Sequence, residues 1–139
     1  MKVRTAILSV LALSAVLTYT YAQAQDDKVV RGKYLAEEVA KCQECHTPKT
    51  ENGEFIKSQW MKGASLSFTP AATVPGWRPK SPDISSTSML WKRWNDDGMV
   101  KFFETGRNPR GGKAGPPMPG YAMRHDDAEA IVAFLKSLP

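Results

Sequence analysis

Two thiols and an imidazole stand together in Cys42-Gln43-Glu44-Cys45-His46, which holds both cysteines of the chain and one of its two histidines. Residues three apart on a helix share a face, so these sulfurs can bond two vinyl groups on one side of a single porphyrin. The next residue then turns its imidazole onto the iron as proximal ligand. C-x-x-C-H is the attachment pattern of c-type haem. A bare C-x-x-C would also suit metal binding or thiol–disulfide exchange, and the histidine directly after it points to haem.

Three other chemistries compete for these residues. A thiol–disulfide oxidoreductase using Cys42 and Cys45 wants a βαβ context, and the chain has no alternating pattern long enough to anchor a sheet. Zinc would have Cys42, Cys45 and the distant His125, an incomplete ligand set. A haem-based sensor or ligand-binding module needs an open sixth position on the iron, so the second axial ligand separates it from an electron carrier.

Met118 is the candidate for that ligand. It lies in a Pro/Gly-rich hinge, 107–120 (RNPRGGKAGPPMPG), between Pro117 and Pro119. Prolines fix φ and lower the entropy cost of presenting a side chain. Met123 is the runner-up. Met99 falls on a helical stripe and reads as core, while Met61 and Met89 sit in a long loop where nothing rigid aims them. His125 would make a bis-histidine site, but at a helix start it reads as capping or solvent-exposed.

The elements that must hold these residues begin after an N-terminal targeting pattern. Lys2 and Arg4 form a basic n-region, residues 6–17 (AILSVLALSAVL) an apolar h-region, and Ala22-Gln23-Ala24 an A-x-A cleavage site. The expectation is a signal peptide over 1–24 and one exported domain over 25–139. The alternative is an uncleaved anchor, since residues 5–25 carry no charge; the apolar run is shorter than the ~20 residues of a spanning helix. Free thiols oxidise outside the membrane, and haem attachment consumes both of them as thioethers. Without Lys2 and Arg4 the chain has 17 basic and 14 acidic residues, net +3, scattered rather than in a run. That excludes a nucleic-acid-binding footprint, though a few cations could ring a haem edge and steer an acidic partner.

Three helices are predicted, with no internal repeat. The first covers 28–42, with Asp27 as N-cap and Leu35, Val39, Cys42 and His46 at helical spacing. Gly32 within it marks either a close helix crossing or simple tolerance of glycine. The second covers 96–105, with Asn95 as N-cap and Gly106 just past its end. The third covers 126–137 behind a box-like Asp126-Asp127-Ala128-Glu129, with Ala128, Ile131, Val132 and Leu135 as its apolar stripe. Residues 47–89 are a Pro-, Gly-, Ser- and Thr-rich loop that a prosthetic group could order. Trp60, Trp77 and Arg78 are candidates within it to pack on the macrocycle or bond a propionate.

Taken in order, the N-terminal helix, Cys42-x-x-Cys45-His46, Met118 in its proline-rich loop and the closing helix with Phe134 resemble the class I cytochrome c family. Gly32-Lys33-Tyr34-Leu35 and Cys45-His46-Thr47-Pro48 look like the mono-haem domains that accompany periplasmic alcohol and sugar dehydrogenases. The loop after His46 is longer than in the shortest members. The resemblance implies an all-α fold, about three main helices around one covalent haem c with a long wrapping loop. By position it makes Cys42 and Cys45 thioether sites, His46 the proximal iron ligand and Met118 the distal one. It implies a periplasmic electron carrier rather than an enzyme, exchanging electrons with a protein donor and acceptor such as a dehydrogenase or terminal oxidase.

Overall fold

The computed structural model describes the backbone of residues 2–139 and the side chains from Val16 onward, so the side chains of Lys2, Arg4 and most of the expected h-region lie outside the described residues. The frame is two helices that cross. α1 (Lys2–Tyr34) continues into a wider π-helical turn, Leu35–Val39, and packs against α4 (His125–Ser137) more extensively than any other pair of elements. Gly32 makes the approach possible. A Cβ there would sit 1.8 Å from the carbonyl oxygen of Ala130 and 2.8 Å from the Cβ of Phe134. The close crossing, not mere tolerance, is why position 32 is glycine.

The apolar stripe of α4 is the largest single contribution to the core. Ala128, Ile131, Val132, Phe134 and Leu135 are all buried, facing Leu35 and Ala36 from α1 and its extension. The ends of α4 are tied outward by Lys28–Glu129 (2.8 Å), Arg31–Asp127 (2.5 Å) and Lys136–Asp96 (2.6 Å). These pairs are partly exposed and fix orientation more than they add stability. Side chains 16–27 are exposed throughout, and packing begins at Lys28 and Val29. Among the described residues no helix is long and apolar enough to cross a membrane.

α3 (Met89–Thr105) contributes Met99, Val100, Phe102 and Phe103 to the same core. It is two helical pieces joined at Asn95, whose φ of 54° is non-helical and whose Oδ1 accepts from the Gly98 N–H at 2.9 Å. Asn95 therefore caps the second piece, as its side chain and position predict. The preceding turn from Met89 starts at a Ser88 cap. Gly106, with φ 66°, closes α3 in the left-handed region.

Two caps differ from expectation. Asp27 lies inside α1, because the helix continues upstream instead of starting there. α4 starts at His125 after Arg124, with Asp126 and Asp127 in its first turn, and Glu129 turns to Lys28 rather than back to the helix start. Tertiary ion pairs draw Asp127 and Glu129 away from the box.

The loop 47–88 has little regular structure. A single 3₁₀ turn (Lys57–Gln59) and a two-residue antiparallel ladder, β1 (Ala64–Ser65) with β2 (Lys80–Ser81), punctuate it. Asp83 organises its end, accepting from the Ser85 N–H at 2.7 Å and the Ser85 hydroxyl at 2.8 Å. The observed architecture is all-α, as expected.

Replacing Gly32 by alanine is expected to cost at least about 2 kcal/mol, read by chemical denaturation, because backbone must move to admit the methyl group. A second expectation concerns pH. The Glu104 carboxylate, 2.8 Å from His125 Nδ1, raises the His125 pKa above its ordinary value. A raised folded-state pKa gives stability that is present below the unfolded pKa and lost as pH rises through the folded one. His125→Ala should therefore lower the melting temperature near about pH 5.5 and leave it unchanged near about pH 8.5.

Candidate functional site

The backbone breaks just before the cysteines. The π-helical turn ends at Ala40, and Lys41 adopts a left-handed φ of 53°, which redirects the chain into α2 (Cys42–His46). This short helix puts Cys42 in the core at 6% exposure and leaves Cys45 half-exposed. Neither cysteine forms a disulfide. Burial pushes the Cys42 thiol up to about 11, and it raises Cys45 as well, helped by the charge of Glu44. Both sulfurs are held as thiols near neutral pH, which is the opposite of what a nucleophilic dithiol requires.

His46 is 4% exposed. Its Nδ1 lies 2.8 Å from the carbonyl oxygen of Pro82. A carbonyl can only accept, so Nδ1 carries the proton and Nε2 keeps its lone pair free. Burial also lowers the His46 pKa, which favours the neutral imidazole. A neutral ring with Nε2 free and the other nitrogen anchored is the form that binds a metal.

The loop builds a wall behind this histidine. The Gly63 N–H donates to the His46 carbonyl at 2.8 Å, and the Ser81 hydroxyl donates to the carbonyl of Cys45. The Thr47 hydroxyl accepts from the Met61 N–H at 3.0 Å, and the Met61 carbonyl accepts from Ile84 at 2.9 Å. Met61, expected to be an unaimed loop residue, is instead fully buried at 0% exposure with a φ of 58°. Its backbone bonds place it beside Thr47, next to the histidine, as part of the core. Met89 remains exposed at 64%, and Met99 is buried in the core as its stripe predicts.

Met118 is half-buried against the core, on a turn closed by its own N–H to the Gly115 carbonyl at 3.1 Å. Two bonds bring its loop to the rest of the site. The Arg78 N–H donates to the Pro116 carbonyl at 2.9 Å, and the Tyr121 hydroxyl donates to the Ala40 carbonyl at 3.4 Å. Burial first, and the nearby Cys42 and Cys45 second, push the Tyr121 phenol up to about 12. The loop carrying Met118 is thus folded alongside the cysteines. Met123, the runner-up, is also packed against the core, its N–H on the Phe103 carbonyl at 3.0 Å near the end of α3. His125 is exposed and turned to Glu104, and among the described residues no three His, Cys, Asp or Glu side chains gather as a metal site.

The tryptophans test whether a carboxylate-bearing group fits this fold. Trp60 Nε1 donates to Glu37 at 3.0 Å and Trp91 Nε1 to the Ser85 carbonyl at 2.6 Å. Trp77 Nε1 is buried and has no partner among the described residues. Its ring rests edge-on against Phe68, and its neighbour Arg78 is fastened to the Met118 loop. An orphaned buried donor beside that loop calls for an acceptor, and a haem propionate is one. The residues present fit haem.

Comparison with known proteins settles the kinship, because the model of the cytochrome c family matches residues 29–139. The chain belongs to the cytochrome c family. Membership implies covalently bound haem c. Among curated relatives of this cytochrome, it is 32% identical over 121 residues to the cytochrome c subunit of a quinone alcohol dehydrogenase from Gluconobacter oxydans, covering 82% of this chain and 24% of that one. It is 29% identical to a fructose dehydrogenase cytochrome subunit of Gluconobacter japonicus, covering 87% and 24%. A gluconate 2-dehydrogenase cytochrome c subunit of Pantoea cypripedii is 30% identical, with 83% and 27% covered. The cytochrome therefore spans about a quarter of the length of these relatives.

Sequence reasoning missed Thr47, Ser81, Pro82 and Tyr121. Pro82 acts through its carbonyl, which no side chain advertises; Tyr121, an aromatic three residues after Met118, did carry a signal. Met61→Ala should cost about 2–5 kcal/mol in denaturation of the haem-loaded cytochrome. Met89→Ala should stay within about 0.5 kcal/mol.

Proposed function

We propose that this chain is an exported mono-haem cytochrome c that passes single electrons between protein partners. Cys42 and Cys45 are its thioether sites, His46 the proximal iron ligand and Met118 the distal one. The observation that carries the reading is the His46–Pro82 hydrogen bond, which leaves Nε2 free on the same short helix as two unpaired thiols. Haem supplies an iron that cycles between ferric and ferrous states; the chain tunes that cycle and transforms no substrate.

Each residue has a definable task. Pro82 holds the proton on Nδ1 and so orients the imidazole. The core side chains around Cys42 keep water from the buried thioether side. Gly115 and Pro116 hold the turn that carries Met118, whose thioether would hold the iron and exclude small ligands from it. Trp77 Nε1 would donate to a propionate. With one C-x-x-C-H in the sequence, one haem is bound.

The targeting reading belongs to this proposal. Residues 1–24 are a cleaved signal peptide and 25–139 the mature domain, which agrees with packing that starts only at Lys28 and Val29. The location is the periplasm. The names of the relatives support a dehydrogenase as electron donor, and a terminal oxidase is a suitable acceptor. The raised pKa values of both thiols weigh against a thiol–disulfide oxidoreductase.

Reduction potential and CO binding test the distal ligand. Met118→Ala should lower the potential and open the ferrous protein to rapid CO binding, while Met123→Ala should change neither. An unchanged spectrum and potential in Met118→Ala would move the ligand to Met123. Rapid CO binding to the native ferrous protein would favour an open-site sensor. The Trp77→Phe substitution keeps an aromatic ring and removes the donor. In the haem-loaded protein it should cost about 1.5–3 kcal/mol, the worth of a hydrogen bond to a charged group. A neutral or stabilising result would show that the indole meets no propionate.

A further inference from the structure

A groove opens where the end of α1 meets α4. Its volume is about 350 Å³, and Lys33, Glu37, Lys57, Trp60, Phe134 and Leu138 line it. Small-molecule sites typically measure ~300–1,000 Å³. None of Cys42, Cys45, His46, Met118 or Trp77 lines this groove, so it is a second feature, separate from the site described above. Trp60, a candidate to pack on the macrocycle, forms one of its walls.

The walls are held before any ligand arrives. Trp60 Nε1 donates to Glu37 Oε1 at 3.0 Å, and the indole meets Phe55 edge-on at 5.4 Å. The Glu37 carbonyl accepts from Gln43 Nε2 at 2.9 Å, which ties that wall to α2. Phe134 is buried beside Gly32 at the helix crossing. The open surface of the groove is mostly apolar, supplied by Trp60, Phe134 and Leu138.

The charges around this apolar floor are unbalanced. Lys33 and Glu37 are four residues apart on one helical run, the spacing of an ordinary ion pair. Glu37 turns to the indole instead, so the carboxylate of the lining is already engaged. Lys33 and Lys57 are exposed, and among the described residues neither has an acidic partner.

We propose that this groove binds a small organic carboxylate with a flat or branched apolar body. The body displaces water from Trp60, Phe134 and Leu138, and the carboxylate meets the ammonium groups of Lys33 and Lys57. An inorganic anion leaves the apolar floor wet, and a neutral hydrocarbon leaves both lysines unused. The proposal does not depend on the electron-transfer reading, since its residues lie outside the cysteine–histidine site.

The test titrates the haem-loaded ferrous protein with 2-naphthoate and follows the Trp60 indole N–H by NMR. A saturable shift is expected, with a Kd below about 1 mM that weakens as salt is added. The neutral analogue 2-naphthamide has the same shape and should bind at least about five-fold more weakly. The double variant Lys33→Gln, Lys57→Gln should lose the same factor for 2-naphthoate and keep its affinity for 2-naphthamide. Lys92→Gln with Arg93→Gln on α3 should leave 2-naphthoate binding unchanged, and sodium sulfate should give no saturable shift. No saturable shift below about 10 mM 2-naphthoate would overturn the proposal. So would equal affinity for acid and amide, an equal loss from the Lys92/Arg93 variant, or saturable sulfate binding at Trp60. Shifts confined to Trp77 and Tyr121 would also overturn it, because they place the anion at the haem-attachment site.

Discussion

The hydrogen bond from His46 Nδ1 to the Pro82 carbonyl joins the two halves of this molecule. On one side is α2, whose short helical turn places Cys42, Cys45 and His46 together. On the other is a loop of some forty residues with almost no regular structure. The bond closes that loop onto the histidine, and in doing so it decides which ring nitrogen keeps its lone pair free. Geometry and electronics are set by the same contact. The neighbouring bonds, Gly63 to His46, Ser81 to Cys45 and Met61 to Thr47, make the closure redundant.

The helical frame has a different job. α1 and α4 cross at Gly32 closely enough that backbone touches backbone, and this fixes the ground on which the π-helical turn and the Lys41 break stand. Because the break redirects the chain at one residue, any slack in the crossing would displace Cys42. Met118 approaches from the far end of the chain, on a loop that Tyr121 fastens to Ala40 and Arg78 fastens to the long loop. The candidate ligands thus come from two segments separated by more than half of the described chain, and the Met118 segment packs against the core formed by α1, α3 and α4.

Much of this was legible where a residue acts through its own side chain or its own φ. The Asn95 cap and the Gly106 terminus depend on local chemistry, and each lies where its residue type predicts. Cys42 to His46 are helical, but the first helix does not run into them, since the chain breaks at Lys41 and Val39 is exposed. Gly32 was ambiguous in the sequence, because a missing Cβ does not say what approaches it. The failures are tertiary. Asp27 looks like a cap but lies inside a helix that continues upstream, and the box at Asp126 fails because Glu129 and Asp127 are claimed by Lys28 and Arg31 across the helix crossing. Met61 looked idle because its burial comes from Thr47 and Ile84, fourteen and more residues away. Pro82 was invisible because its contribution is a carbonyl that every residue has.

The central claim is that Cys42, Cys45 and His46 form a haem-attachment site. It is tested most directly by the intact mass of the denatured protein, exported from a cell that makes c-type haem, followed by mass mapping of the Cys42–Cys45 peptide. The account predicts one haem retained after denaturation, bonded to that peptide, with no free thiol. A protein of bare polypeptide mass, with Cys42 and Cys45 free or joined as a disulfide, would contradict it.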